Sequence, residues 1–188
     1  MLRKSTLSLW VGLLFISVFL MGNGQSDPQK PLYKQANASI DDRVDDLLGR
    51  MRLEEKLAQV VCTWVGKGNL RKPDGSFSPD SAKKYLPHGA GQIGRPGEGH
   101  ASVNTPGPGP RYTADFTNTV QKYFLEETRL GIPVMFHGEC LHGYASKDGT
   151  SYPQPIAIAS SWNPEMVEEM FAQISLEARS QGIHQALT

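Results

Sequence analysis

Neither sign of charge is in excess in this sequence: 19 basic and 19 acidic side chains leave a formal net charge of zero. A nucleic-acid partner calls for a clustered positive face, so none is expected. Cysteine is scarce, with Cys62 and Cys140 the only two in 188 residues. Each lies in an apolar, strand-like run, and both are read as buried free thiols rather than as a disulfide. What remains is ordinary, since a hydrophobic content of 39% suits a globular domain and is too high for a disordered tail.

The one candidate for a membrane segment is at the N-terminus, where Arg3 and Lys4 precede an apolar run from Leu7 to Met21. That run is short against the roughly 20 residues of a membrane span. Gly22 and Gly24 place small residues where a signal peptidase reads, so residues 1–24 are expected to be a signal peptide, with Gln25 as the new N-terminus. An uncleaved anchor is the alternative. No cysteine stands at the cleavage site, which argues against a lipoprotein. The expected location is secreted or periplasmic, with no membrane contact beyond the signal peptide. Asn37-Ala38-Ser39 fits a glycosylation sequon that would be idle in a bacterium.

Residues 25–38 are polar, carry Pro28 and Pro31, and read as a linker. Ser39, with Asp42 three residues on, then starts a helix whose apolar face is Ile40, Val44, Leu47, Leu48 and Met51. A short helix at 53–57 follows, its glutamates suited to the positive end of the helix dipole. Val60 to Trp64 reads as a strand. The segment 66–88 is polar and reads as irregular. Gln92-Ile93-Gly94 suggests a brief strand before a long loop carrying Arg95, Glu98 and His100, which are assigned to loop surface, with a pocket border as the alternative. Tyr112 to Thr128 is a helix with Tyr112, Phe116, Val120, Tyr123 and Phe124 as its buried stripe. Ile156 to Ala159 reads as extended. Asn163 and Pro164 start a last helix, with Met166, Val167, Met170, Phe171, Ile174 and Ala178 expected to be buried and Gly182 as its stop. Another element begins at Ile183.

The chemistry concentrates in Gly131 to Gly143, G-I-P-V-M-F-H-G-E-C-L-H-G. Ile132 to Phe136 is a short apolar run between turn residues, as a buried strand has. His137, Glu139, Cys140 and His142 follow within six positions. Loops at the carboxyl ends of parallel strands carry functional groups, so Glu139 is the prime candidate. Zinc could take such ligands, but the H-E-x-x-H pattern needs a helix and a tighter spacing than these histidines have, so no metal site is assigned. Cys140 as a nucleophile lacks an electropositive pocket. His142 is read as a buried imidazole bonded to backbone. A glutamate at a strand's end is costly to desolvate unless something donates hydrogen bonds to it. A polyhydroxylated ligand would do so, each bond to the carboxylate being worth roughly 1.5–3 kcal/mol.

Three ordered segments carry a family likeness. Asp42 to Val60 (D-R-V-D-D-L-L-G-R-M-R-L-E-E-K-L-A-Q-V), the 131–143 motif and Ser151 to Pro164 (S-Y-P-Q-P-I-A-I-A-S-S-W-N-P) together resemble glycoside hydrolase family 3, the β-glucosidases and β-xylosidases. One departure is Arg52, where members usually place threonine as an N-cap. The resemblance implies an α/β fold, the N-terminal part of a (β/α)8 TIM-like barrel, incomplete because such a barrel takes about 250 residues. Residues 39–188 are assigned to that barrel domain, and the chain is expected to be cut short of C-terminal domains of the same enzyme. The implied activity is that of an exo-acting retaining β-glycosidase acting on β-linked oligosaccharides or glycosides, without a cofactor. In the family the acidic residue before L-H-G holds sugar hydroxyls, which assigns Glu139 to substrate binding, with His137 as a second pocket residue. The family's nucleophile and acid/base lie later in the chain, so no catalytic residue is assigned within residues 1–188, and this part alone is expected to be inactive. A non-catalytic sugar-binding fragment and, further off, a metal-dependent hydrolase are the alternatives.

Overall fold

The computed structural model describes residues 30–98 and 109–188. The expected signal peptide, the start of the linker and His100 lie outside the described residues. The chain divides into two compact units between Arg50 and Met51.

In the first unit, a 3-10 turn at Leu32–Lys34 precedes helix α1 (Ile40–Arg50). The expected cap is present: Ser39 Oγ accepts from the Asp42 backbone N–H at 3.1 Å and donates to Asp42 Oδ2 at 2.7 Å. The turn is tied to the helix by the Tyr33 N–H on Asp46 Oδ2 (3.0 Å) and by Arg43 Nε on the Tyr33 carbonyl (3.1 Å). The apolar stripe of α1 is largely uncovered, with Ile40, Val44 and Leu48 exposed.

The second unit runs α2 (Leu53–Gln59), β1 (Cys62–Thr63), a 3-10 turn at Val65–Leu70, α3 (Pro79–Tyr85), β2 (Gln92–Gly94), α4 (Pro110–Glu127), β3 (Met135–Glu139), α5 (Pro155–Ala159), α6 (Pro164–Ser180) and β4 (Gln185–Leu187). The four strands form one sheet in the order β1-β2-β3-β4, every pair parallel. Each strand pairs with the next in sequence. A doubly wound sheet would instead reverse strand order partway along. The α/β class with a parallel sheet is therefore as expected.

Strand alternation divides the sheet into two faces. Ile93, Phe136 and Cys140 enter the core with Phe116, Val120, Tyr123 and Phe124 of α4 and Ile174 and Ala178 of α6. Gln92, Gly94, Met135, His137 and Glu139 share the opposite face, paired Gln92↔Met135 and Gly94↔His137.

Several elements differ from the sequence reading. Residues 66–88 are not irregular throughout: α3 starts at Ser78, whose Oγ accepts from the Ser81 N–H at 3.2 Å, with Pro79 in its first turn. Only Ala82 of that helix is buried, so it lacks the apolar stripe that makes a helix visible in sequence. Ile156 to Ala159 is helical rather than extended. The I-A-I-A alternation mimics a strand, yet Ile158 is buried while Ile156 is 84% exposed, and Pro155 supplies the helix start. The α6 face fades toward its N-terminus, where Met166 is exposed and Met170 and Phe171 are partly buried, because the core reaches only its C-terminal half. Cys62 is exposed instead of buried, whereas Cys140 is buried. Strand β3 runs on through Glu139, which the sequence reading placed just beyond the strand, because the ladder to β4 continues to the Glu139↔Leu187 pair.

Candidate functional site

Three strand ends build the site. Trp64 follows β1 directly, Arg95 follows β2, and Glu139 closes β3. All are at carboxyl ends, where a parallel sheet presents its ligand-binding groups.

The Glu139 carboxylate is ion-paired to Arg95, whose Nη2 donates to Oε1. Both side chains are about one-quarter to one-fifth exposed, at 25% for Arg95 and 20% for Glu139. The donor that this carboxylate requires is therefore a residue of the chain itself, and Arg95, read from the sequence as loop surface, belongs to the site. The clamp does not saturate the group. Oε1 is engaged by Arg95, while Oε2 has no hydrogen-bond partner among the described residues.

Arg95 is held from three further directions. Its backbone N–H donates to the His137 carbonyl at 2.7 Å, Nη1 lies 3.4 Å from Glu98 Oε1, and the guanidinium sits 4.2 Å from the centroid of the Trp64 ring. A cation over an indole face at that distance is an attractive contact. Pro96, next in the chain, is held by Arg71, whose Nη2 donates to the Pro96 carbonyl at 3.0 Å while its guanidinium stacks 4.2 Å from the Phe116 ring. Arg95 holds a φ of +53°, a left-handed conformation uncommon outside glycine.

His137 is one strand position before Gly138 and on the same face as Glu139, so the two sequence-predicted site residues do come together. Its ring is half-buried, and Nδ1 is buried with no hydrogen-bond partner among the described residues. Burial first, then the nearby Arg95 and Lys67 cations, hold its pKa below the usual histidine value, with Glu98 opposing. The imidazole is accordingly neutral at neutral pH. Lys67 is shifted downward as well, by burial foremost. His142 does not take the role read for it: it is half-buried, and its backbone carbonyl, which accepts from the Tyr152 N–H at 2.8 Å, makes the contact in place of its ring. Cys140 is fully buried and its thiol pushed up by burial, which makes it an inert core residue rather than a nucleophile. Among the described residues no group of three or more His, Cys, Asp or Glu side chains could hold a metal ion.

Sequence reasoning missed Trp64, Lys67 and the pairing of Arg95. One signal was available: Arg95 stands at the carboxyl end of β2, as Glu139 stands at that of β3.

Comparison with known proteins defines the class. Residues 52–188 match the family model described as the glycosyl hydrolase family 3 N terminal domain. A Formosa agariphila protein provisionally named a β-xylosidase is 35% identical over 153 residues, covering 81% of this chain and 19% of that protein. β-Glucosidase C of Emericella nidulans is 32% identical over 155 residues, covering 78% of this chain and 23% of that one. Among solved structures, a β-glucosidase from Erythrobacter marinus superposes with a TM-score of 0.65 at 28% identity, over 85% of this chain and 20% of that chain. The chain thus spans about a fifth of the length of these relatives. It belongs to glycosyl hydrolase family 3, in its N-terminal domain.

Proposed function

We propose that the full-length protein is an exo-acting retaining β-glycosidase, releasing the non-reducing-end sugar of β-linked oligosaccharides or glycosides. Residues 52–188 then form the first part of its (β/α)8 barrel and one wall of its sugar pocket. The observation that carries this reading is Glu139, at the carboxyl end of β3 in a family 3 domain, with one carboxylate oxygen paired and the other without a hydrogen-bond partner among the described residues. Glu139 accepts hydrogen bonds from hydroxyls of the terminal sugar, and neutral His137 borders the same pocket. The nucleophile and acid/base come from outside residues 1–188, in keeping with relatives several times longer, so this part alone is inactive. A retaining enzyme places those two carboxyl groups roughly 5–5.5 Å apart and passes through a covalent glycosyl intermediate. Residues 1–24 act as a signal peptide, which makes the protein secreted or periplasmic.

The substrate reading favours a pentose. A glutamate carries its carboxylate one methylene further than an aspartate, where it crowds the C6 hydroxymethyl of glucose and leaves xylose unhindered. Paired aryl β-xyloside and β-glucoside kinetics on the full-length protein test this. The expected result is a xyloside kcat/KM at least equal to that for the glucoside, with the β-anomer formed first by NMR. A glucoside preference above tenfold removes the pentose reading, and an initial α-anomer removes retention.

A further inference from the structure

We propose that Arg95 is the positioning residue of Glu139: it fixes one carboxylate oxygen so that the other is presented to a sugar hydroxyl. The proposal rests on the reading of Glu139 as a sugar ligand and adds the device that sets its geometry.

A lone glutamate at a strand's end has three rotatable bonds and would sample several rotamers. Here Arg95 Nη2 donates to Oε1 and leaves Oε2 without a partner among the described residues. Arg95 is itself immobilised by contacts on different sides: Glu98 on Nη1, the Trp64 indole against the guanidinium face and the His137 carbonyl on its backbone N–H. The guanidinium therefore bridges two carboxylates, Glu98 and Glu139, from its two terminal nitrogens. A planar fork can do this, and a lysine ammonium, a single point charge on a flexible stem, cannot reproduce it.

A purely structural role fits the same contacts less well. A part-exposed ion pair contributes little to stability, and a left-handed non-glycine backbone works against it. The φ of +53° at Arg95 is therefore poorly explained by fold stability alone. It is explained if the residue must stand over Trp64 and reach Glu139 at once. Bond-making geometry is sensitive to small displacements, so a side chain that fixes a ligand group affects turnover without touching substrate.

A double-mutant cycle on the full-length protein tests this, with Arg95→Gln, Glu139→Gln and the double variant assayed for kcat and KM on an aryl β-xyloside. Arg95→Gln is expected to lower kcat/KM about 30-fold, and the double variant to be no worse than Glu139→Gln within about threefold, the non-additivity of residues acting as one unit. Arg95→Lys, which keeps the charge and guards against misfolding of the glutamine variant, is expected to melt near the wild type while losing about fivefold or more. Losses that multiply in the double variant mean that Arg95 acts independently and overturn the proposal. So does a lysine variant matching wild type in both kcat and KM. If Glu139→Gln is impaired and Arg95→Gln stays within threefold of wild type, positioning fails and the sugar-ligand reading stands. If Glu139→Gln is itself unimpaired, both fail together.

Discussion

Gly94 and His137 are paired across β2 and β3, and a Cβ on Gly94 would lie 2.7 Å from His137 Nε2 and 2.9 Å from Cε1. The Nε2–Cε1 edge of the candidate site's imidazole therefore occupies space that only glycine leaves open. Gly94→Ala should swing the ring toward solvent with little loss of thermal stability, since the atom displaced is the tip of a side chain. A changed His137 NMR signal and a fall in kcat/KM of roughly tenfold or more are expected. An unmoved His137 resonance contradicts the packing described.

Glu55 offers a pH test. It accepts from the Arg52 backbone N–H at 2.8 Å, capping α2, and from Arg129 Nε at 2.7 Å. Its pKa is lowered to about 2, chiefly by the Arg129 hydrogen bond. A carboxylate with a depressed folded pKa stabilises the fold above its unfolded value of 4.5, and that contribution drains as pH falls from 4.5 toward 2. With Arg129 at 43% side-chain exposure, solvent screening reduces the effect to about 1–3 kcal/mol. Denaturant titrations of wild type and Glu55→Gln at successive pH values should differ most near neutrality and converge at acid pH. A constant difference contradicts the assignment.

His137 adds to acid sensitivity over a higher window. Its folded pKa is lowered, so between the ordinary histidine value of 6.5 and that lower value the unfolded chain binds the extra proton. Stability should begin to fall as pH drops below about 6.5, and less so in His137→Phe. Identical pH profiles for the two proteins would remove His137 from this account.

Gly143 closes the motif with a φ of +117°, and a Cβ there would meet the Thr150 carbonyl oxygen at 2.0 Å. Backbone, unlike a ring tip, cannot swing aside. Gly143→Ala should cost about 2 kcal/mol or more. A melting temperature within two degrees of wild type would contradict the turn as described.

These residues also show what was legible beforehand. The aromatic stripe of α4 and the capped start of α6 at Asn163 were readable because burial and capping leave periodic or positional marks. Helix α3 was not, since it buries one alanine, and α5 was not, since four residues of alternating Ile and Ala suit a strand equally well. At the site, Glu139 and His137 could be named because one strand carries both. The Arg95 pairing joins residues 44 apart, and Trp64 comes from a third strand's end, so only the sheet register brings them into contact.

The most direct measurement is kcat/KM for Glu139→Ala in the full-length protein on its better aryl glycoside. Loss of about two charged hydrogen bonds to the sugar predicts a fall of roughly 10²-fold or more. Activity within threefold of wild type would mean that this carboxylate serves Arg95 alone and holds no sugar.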